Sequence, residues 1–272
     1  MPWPPFPPAL HQPASDRPRA ERLPGAAFDP KGRDLWAFSF HPTEGLALLQ
    51  IGDEAHYSLF VTRRDAQGAW SEPTPWPLAL PGAEDSDPCF SPDGTQLTFA
   101  SRRRPEGMGL AGHFDLWVVD YTAGTWGRPR WLGPSINSDR DEYLPSVARN
   151  GDLYFERGGD TSFDLYVARR TPSGFAPATP LPAAINTSAD EESPFIHPDG
   201  RTLLFVRGNV LMQSRLGPHG WETARPLHLE ERGRFVYSPV LSPDGRWLLY
   251  TSNAGGRARI LRVPYADVQP RP

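Results

Sequence analysis

Three pairs of adjacent acidic residues recur at one position relative to a turn glycine. They stand ten and nine residues before Gly94, Gly151 and Gly200. The pairs are Glu84-Asp85, Asp141-Glu142 and Asp190-Glu191. Carboxylates that lie together on one side of a fold can bind a hard cation such as Ca²⁺, a cationic group or a sugar-like ligand. Two carboxylates a few ångströms apart can also catalyse the hydrolysis of a glycoside.

The same pairs also have a purely structural interpretation. An acidic residue before a strand often accepts hydrogen bonds from backbone N–H groups of its own loop. Asn137-Ser138 and Asn186-Thr187 recur together with the second and third pairs, which favours this interpretation. The alternating Asp/Asn spacing of a calcium loop is absent from the sequence, so we expect no cofactor, with Ca²⁺ as the alternative.

Arginines accompany the acidic residues. Arg157 and Arg207 occupy equivalent positions at the ends of two predicted strands, and Arg102 lies next to the same layer. An arginine beside a carboxylate can form a two-pronged ion pair. We expect these arginines to tie neighbouring repeats together. The alternative is that they grip a carboxylate or phosphate ligand.

The turn glycines belong to a tetrapeptide that repeats along the chain. Proline presets φ, aspartate binds its own backbone and glycine accepts a positive φ, so each copy predicts a tight turn. Weaker copies end at Gly45 and Gly151, and successive turn glycines are 49, 57, 49 and 45 residues apart. This period is typical of radially repeated sheet proteins. The clear copies are Ser91-Pro92-Asp93-Gly94, His197-Pro198-Asp199-Gly200 and Ser242-Pro243-Asp244-Gly245.

Each repeat predicts four short strands, which is one blade of a β-propeller. The fifth repeat lacks its last strand, and residues 20–24 resemble the missing piece. We therefore predict an all-β fold, a five-bladed β-propeller of four-stranded antiparallel blades that an N-terminal strand closes. A sixth, degenerate blade within residues 1–40 is the alternative. Residues 1–16 are expected to be a flexible proline-rich arm, 17–264 one propeller domain and 265–272 a tail.

In a propeller the first strand of each blade lines the central channel, so the acidic pairs should gather on one rim. At the same positions the first and last repeats have Leu35-Trp36 and Phe235-Val236. The predicted rim is therefore acidic on one side and apolar on the other, with Trp36 and Phe235 as its aromatic members. Aromatic residues flanked by polar groups are common anchors of binding surfaces.

The repeats resemble those of the TolB family, in the subgroup with an Ile-Asn-Thr/Ser…Asp-Glu…Pro motif before the turn. The motif occurs as Ile136-Asn137-Ser138 with Asp141-Glu142, and as Ile185-Asn186-Thr187 with Asp190-Glu191. A second motif of the subgroup appears as Phe114-Asp115-Leu116-Trp117. The resemblance covers roughly residues 35–263 and implies a propeller fold. Such repeats occur in scaffolds, envelope proteins and enzymes, so the resemblance implies no single activity.

Composition and the missing catalytic motifs narrow the function. The net charge of −4 argues against a nucleic-acid partner, because phosphate binding needs a basic face. The sequence has no nucleophile elbow, zinc-protease motif or phosphate loop, and no run of about 18 apolar residues that would span a membrane. We expect a monomeric, non-catalytic module that binds a protein or a small polar, sugar-like ligand. The alternative is a carbohydrate-active hydrolase or lyase.

The first residues lack the pattern of a secretory signal. We therefore expect a cytoplasmic protein, or a periplasmic one if an export signal has been removed.

Overall fold

The strands form five antiparallel sheets arranged in a ring, as the turn spacing predicted. The structure is a computed structural model that describes residues 18, 20–23, 25–30, 32–53, 56–105, 110–158, 162–229, 235–242, 244–253 and 256–270. The two helices within these ranges are short 3₁₀ turns, Ala26–Phe28 and Tyr265–Val268. The predicted arm, residues 1–16, lies outside the described residues.

Each blade contains four strands, counted from the channel outward. Blade 1 has Asp34–Phe40, Leu46–Gly52, Tyr57–Arg63 and Thr74–Pro75. Blade 2 has Ser86–Phe90, Gln96–Arg103, Leu110–Thr122 and Arg130–Trp131. Blade 3 has Glu142–Val147, Leu153–Gly158, Phe163–Ala168 and Thr179–Pro180. Blade 4 has Glu191–Ile196, Thr202–Arg207, Val210–Gly217 and Arg225–Pro226.

Four two-residue strands form small hairpins at the outer sides of blades 2, 3 and 4. They are Thr125–Trp126, Arg170–Thr171, Gly174–Phe175 and Gly220–Trp221.

Blade 5 joins the two ends of the chain. Its inner strands are Val236–Leu241, Trp247–Ser252 and Arg259–Pro264, and its outer strand is Glu21–Arg22. Glu21 pairs with Arg262 and Arg22 with Leu261 in an antiparallel register. The predicted closure by residues near 20–24 is therefore confirmed. It protects the third strand of blade 5, which would otherwise expose an unpaired edge.

Two ion pairs reinforce this closure. Arg259 Nε lies 2.6 Å from Asp29 Oδ1, and Arg262 Nη2 lies 2.5 Å from Glu21 Oε1. The guanidinium group of Arg262 also stacks over the ring of Trp247, 4.7 Å from its centroid. Arg262 is 2% exposed, so protein atoms surround both its charge and its stem.

The hydrophobic core is divided into layers between successive blades. Alternation along each strand sends apolar side chains to both faces of a blade, where they meet those of the next blade. Between blades 1 and 2, for example, the indole of Trp76 packs edge-on against Phe99, with 5.1 Å between ring centroids. Between blades 3 and 4, Tyr154 packs with Phe205 and Ile196.

The described chain continues as ordered packing past the last strand. The segment predicted as a tail begins with the turn Tyr265–Val268, and Val268 is fully buried among residues of blades 4 and 5. The N–H of His228 donates to the carbonyl oxygen of Val268 across 2.8 Å. Among the described residues, no helix has the length and apolar character needed to cross a membrane.

Arg262→Ala should lower the free energy of unfolding by about 2 kcal/mol. The change removes a buried guanidinium group, its ion pair with Glu21 and its contact with Trp247. Arg246→Ala is the matched control, because Arg246 forms an exposed pair with Asp244 in the same blade and should change stability by about 0.5 kcal/mol. Urea denaturation followed by circular dichroism measures both. Equal losses for the two variants would contradict the account of closure.

Candidate functional site

The second residue of each acidic pair is buried and bound to an arginine of its own blade. Asp85, Glu142 and Glu191 are at most 1% exposed. Each lies opposite an arginine on the second strand of the blade. The ion pairs are Arg103 Nη2–Asp85 Oδ2 at 2.6 Å, Arg157 Nε–Glu142 Oε1 at 2.8 Å and Arg207 Nε–Glu191 Oε1 at 2.6 Å.

The remaining atoms of these pairs bind the loop that leads into the blade. Ser138 donates its N–H and its hydroxyl to Glu142, and Thr187 does the same to Glu191. Arg157 donates to the carbonyl oxygen of Ile136 across 2.6 Å. Burial raises the pKa of Glu142, and the bonds from Ser138 and Arg157 oppose that rise. These carboxylates therefore hold their own loops.

In blade 2 the arginine that plays this role is Arg103, one residue after the predicted Arg102. The register between the second and third strands of blade 2 shifts between Ser101 and Arg103, and this irregularity brings Arg103 rather than Arg102 to Asp85. Arg102 instead forms an ion pair with Glu84, at 3.2 Å, and lies over the ring of Phe114. The predicted pairing between neighbouring blades thus occurs within single blades for Arg103, Arg157 and Arg207.

The first residues of the second and third pairs reach across the boundary between two blades. Asp141 accepts a hydrogen bond from the N–H of Phe114 across 2.8 Å, and Asp190 accepts one from Phe163 across 3.0 Å. Asp34 accepts the equivalent bond from Ala258 across 2.7 Å. Counting back from Gly45 missed Asp34, because the first turn contains one more residue than the others.

The next residue along each first strand, after the buried acid or its apolar equivalent, belongs to a separate layer of side chains, one from each blade. Strand alternation turns its side chain to the opposite side of the strand. Tyr237, on blade 5, donates to Glu192, on blade 4, across 3.4 Å, and the rings of Trp36 and Phe235 lie 6.3 Å apart. The layer consists of Trp36, Ser86, Tyr143, Glu192 and Tyr237.

Three carboxyl groups from three blades interact electrostatically with one another and with Tyr237 of this layer. Glu192 and Asp87 both act electrostatically on Glu156, and Glu156 and Asp87 both act on Tyr237. Groups from blades 2, 3, 4 and 5 can interact in this way only around the central channel. We call Asp87, Glu156 and Glu192 the channel carboxyls. Sequence reasoning missed Asp87 and Glu156, since Asp87 follows its pair by two residues and Glu156 lies on a second strand.

The channel carboxyls are held in surroundings that disfavour their charge. Burial raises the pKa of Asp87 to about 6. Burial, and then the charge of Glu192, raise the pKa of Glu156 well above its usual range. The pKa of Glu192 is raised by burial and by Asp190. Within the described part of the chain, none of the three forms an ion pair with an arginine, lysine or histidine.

Two of the channel carboxyls also support strained backbone. Asp87, Leu144 and Ser193 have φ between 48° and 54°, which is uncommon for residues other than glycine. Each precedes the proline of its first strand, where the register shifts. Asp87 accepts the N–H of Leu144, and Glu156 accepts that of Ser193 across 2.8 Å. Blade 2 thereby stabilises the bulge of blade 3, and blade 3 that of blade 4.

Below these bulges the channel widens into a cavity of about 310 Å³, lined by the first strands of all five blades. Ser193 and Ser238 lie at its inner end and are 1% and 8% exposed. Neither hydroxyl oxygen has a hydrogen-bond partner in the described structure. Buried polar groups normally have partners, so these two hydroxyls are exceptions at the wall of the cavity.

The fold agrees with that of several solved propellers. Over 88% of this chain and 80% of the other, it matches a TolB-type protein of Agrobacterium tumefaciens with a TM-score of 0.57 and 16% identity. The chain has a TolB-like propeller fold. A thermostable family-43 glycoside hydrolase matches with a TM-score of 0.60 and 12% identity, over 91% of this chain and 98% of that one.

A gluconolactonase of Xanthomonas campestris also matches this chain, with a TM-score of 0.55 and 10% identity, over 93% of this chain and 98% of the other. At these identities the likeness concerns the fold alone. No family model and no curated protein matches the sequence.

Glu191→Ala should lower the free energy of unfolding by about 3 kcal/mol, because it leaves the guanidinium group of Arg207 without its carboxylate in a largely buried position. Chemical denaturation measures this change. Glu72→Ala is the control, since Glu72 is exposed and its loss should change stability by less than about 0.5 kcal/mol. An unchanged stability in Glu191→Ala would mean that the buried pair does not hold the loop.

Proposed function

We propose that this TolB-like propeller is a non-catalytic binding module whose channel mouth takes a cationic group of a ligand or of a partner protein. The observation that carries the proposal is the set of channel carboxyls. Glu192 and Asp87 both act electrostatically on Glu156, and no described cation neutralises the three groups. Titratable groups with pKa values shifted in this way are typical of functional sites.

Electrostatics favours a cation as the ligand group. Burial without a partner disfavours the charged form of a carboxyl, and a bound cation would restore it. The aromatic faces of Trp36, Tyr143 and Tyr237 can add cation–π attraction to a protonated amine or a guanidinium group.

The rim predicted from the sequence contributes in two ways to this proposal. Glu84, Asp141 and Asp190 add negative charge around the mouth, which would steer a cation toward it. The buried carboxylates and their arginines position the loops that form the mouth. These positioning residues are Asp85, Glu142, Glu191, Arg103, Arg157 and Arg207.

A titration with agmatine tests the proposal, since this molecule carries an amine and a guanidinium group and stays protonated from pH 5 to pH 8. Its affinity should rise about tenfold between pH 5 and pH 7.5, because Asp87 gains its charge as the pH passes about 6. Glu192→Gln should weaken binding about tenfold. Isothermal titration calorimetry measures both effects.

Two comparisons make this titration decisive. Glu72→Gln removes the same charge from an exposed site and should leave the affinity unchanged. Xylitol, a neutral polyol, should bind more weakly than agmatine. An agmatine affinity that changes neither with pH nor with Glu192→Gln would contradict the proposal.

A second candidate function is the hydrolysis of a glycoside. It rests on the two carboxyl groups of Glu156 and Glu192, which interact electrostatically, because glycoside hydrolysis uses a pair of carboxyl groups in different environments. One of the structures with a similar fold is a glycoside hydrolase. Release of nitrophenol from aryl glycosides, abolished by both Glu156→Gln and Glu192→Gln, would favour this function over simple binding.

A further inference from the structure

A groove between blades 2 and 3 differs in charge from the rest of this acidic protein. It has a volume of about 560 Å³ and lies on the side of the Pro-Asp-Gly turns, away from the channel mouth. Arg130, Arg149 and Arg170 line it, and Asp93 is the one acidic residue in its described lining. From this groove we infer a second binding site, for an apolar or aromatic molecule that carries a phosphate or a carboxylate.

The existing ion pairs leave two of the three arginines available. Asp120 binds Arg130 through both carboxylate oxygens. Arg149 is exposed and has no hydrogen-bond or ion-pair partner among the described residues. Arg170 has no carboxylate partner in the described structure, because the side chain of Asp152 is bound to Arg169 at 2.7 Å.

Arg170 is held in place before any ligand arrives. Its backbone N–H donates to Asp152 across 2.8 Å, and its guanidinium group lies 5.0 Å from the centroid of the Phe175 ring. A Cβ atom at Gly151 would lie 3.0 Å from Cγ of Arg170, so glycine at this turn leaves room for the arginine stem. A planar, positioned guanidinium group with free N–H donors suits two-pronged binding of an oxyanion.

The acidic residue of the groove does not oppose this role strongly. Asp93 accepts hydrogen bonds from the hydroxyl of Ser91 and from the N–H and hydroxyl of Thr95, at 2.6 to 3.0 Å. These bonds lower the pKa of Asp93 and spread its charge into the turn. The two unpaired arginines therefore leave the lining with a net positive charge.

Trp131 supplies the apolar part of the site. It lines the same groove and is 37% exposed, one of four large apolar residues with that much exposure in the described chain. Tryptophan and arginine are the residue types that dominate binding energy in recognition sites. A ring carried by the ligand can pack on Trp131 while its oxyanion binds Arg149 and Arg170.

Calorimetric titrations with phenyl phosphate and with phenylacetate, at pH 7.5 and low salt, test this inference. At least one of them should bind the intact protein, and the tighter one identifies phosphate or carboxylate as the preferred oxyanion. Arg149→Ala and Arg170→Ala should each weaken that binding about tenfold. Arg170→Lys should also weaken the binding, because lysine keeps the positive charge but cannot bind an oxyanion through two parallel N–H groups.

The controls separate a built site from general attraction of anions. Arg225→Ala removes an exposed arginine from the outer strand of blade 4 and should leave the affinity unchanged. Trp131→Ala should weaken the binding of phenyl phosphate and leave the affinity for inorganic phosphate unchanged. Arg149→Ala carries the test alone if Arg170→Ala fails to fold. Failure of both probes to bind, or equal effects of Arg149→Ala and Arg225→Ala, would overturn the inference.

Discussion

The structure depends on hydrogen bonds that cross the boundary between one blade and the next. A ring of separate sheets leaves backbone N–H groups at every boundary, and buried N–H groups need acceptors. Asp141 and Asp190 meet this need near the loops, and Asp87 and Glu156 meet it at the strained bulges beside the channel. Acidic residues thus lie near the centre of the molecule, and the charge that they bring there shapes its chemistry.

The two sets of carboxyls differ in how that charge is compensated. Glu142 and Glu191 each have an arginine within 2.8 Å, so their charge is neutralised inside the blade. Glu156 and Glu192 have no such cation among the described residues, and burial raises their pKa values. Alternation along the strand separates adjacent residues, such as Glu191 and Glu192, into these two environments. The uncompensated set faces the channel, and this difference is the reason to place ligand binding there.

Much of the fold followed from local chemistry that the sequence displays. Pro-Asp-Gly turns can form in few ways, so their spacing predicted five blades, and the missing last strand predicted closure by residues 20–24. Single-residue shifts were harder to predict. The bulge before Arg103 and the longer turn before Gly45 each shift the residue that occupies the repeated position. We therefore predicted Arg102 in place of Arg103, and we did not identify Asp34. The approach of Glu156 to Asp87 depends on how blades pack around the axis, and no local pattern encodes that distance.

The titration of the channel carboxyls tests the central claim most directly. Carbon-13 NMR of the side-chain carboxyl carbons, followed from pH 3 to pH 8, reports the ionisation of each group, with Asp87→Asn and Glu156→Gln to assign the signals. We predict that Asp87 titrates near pH 6 and that Glu156 titrates well above the ordinary range of a glutamate, because burial and the charge of Glu192 raise its pKa. Titration of all three channel carboxyls below about pH 4.5 would show that their charge is already compensated, and it would contradict the account.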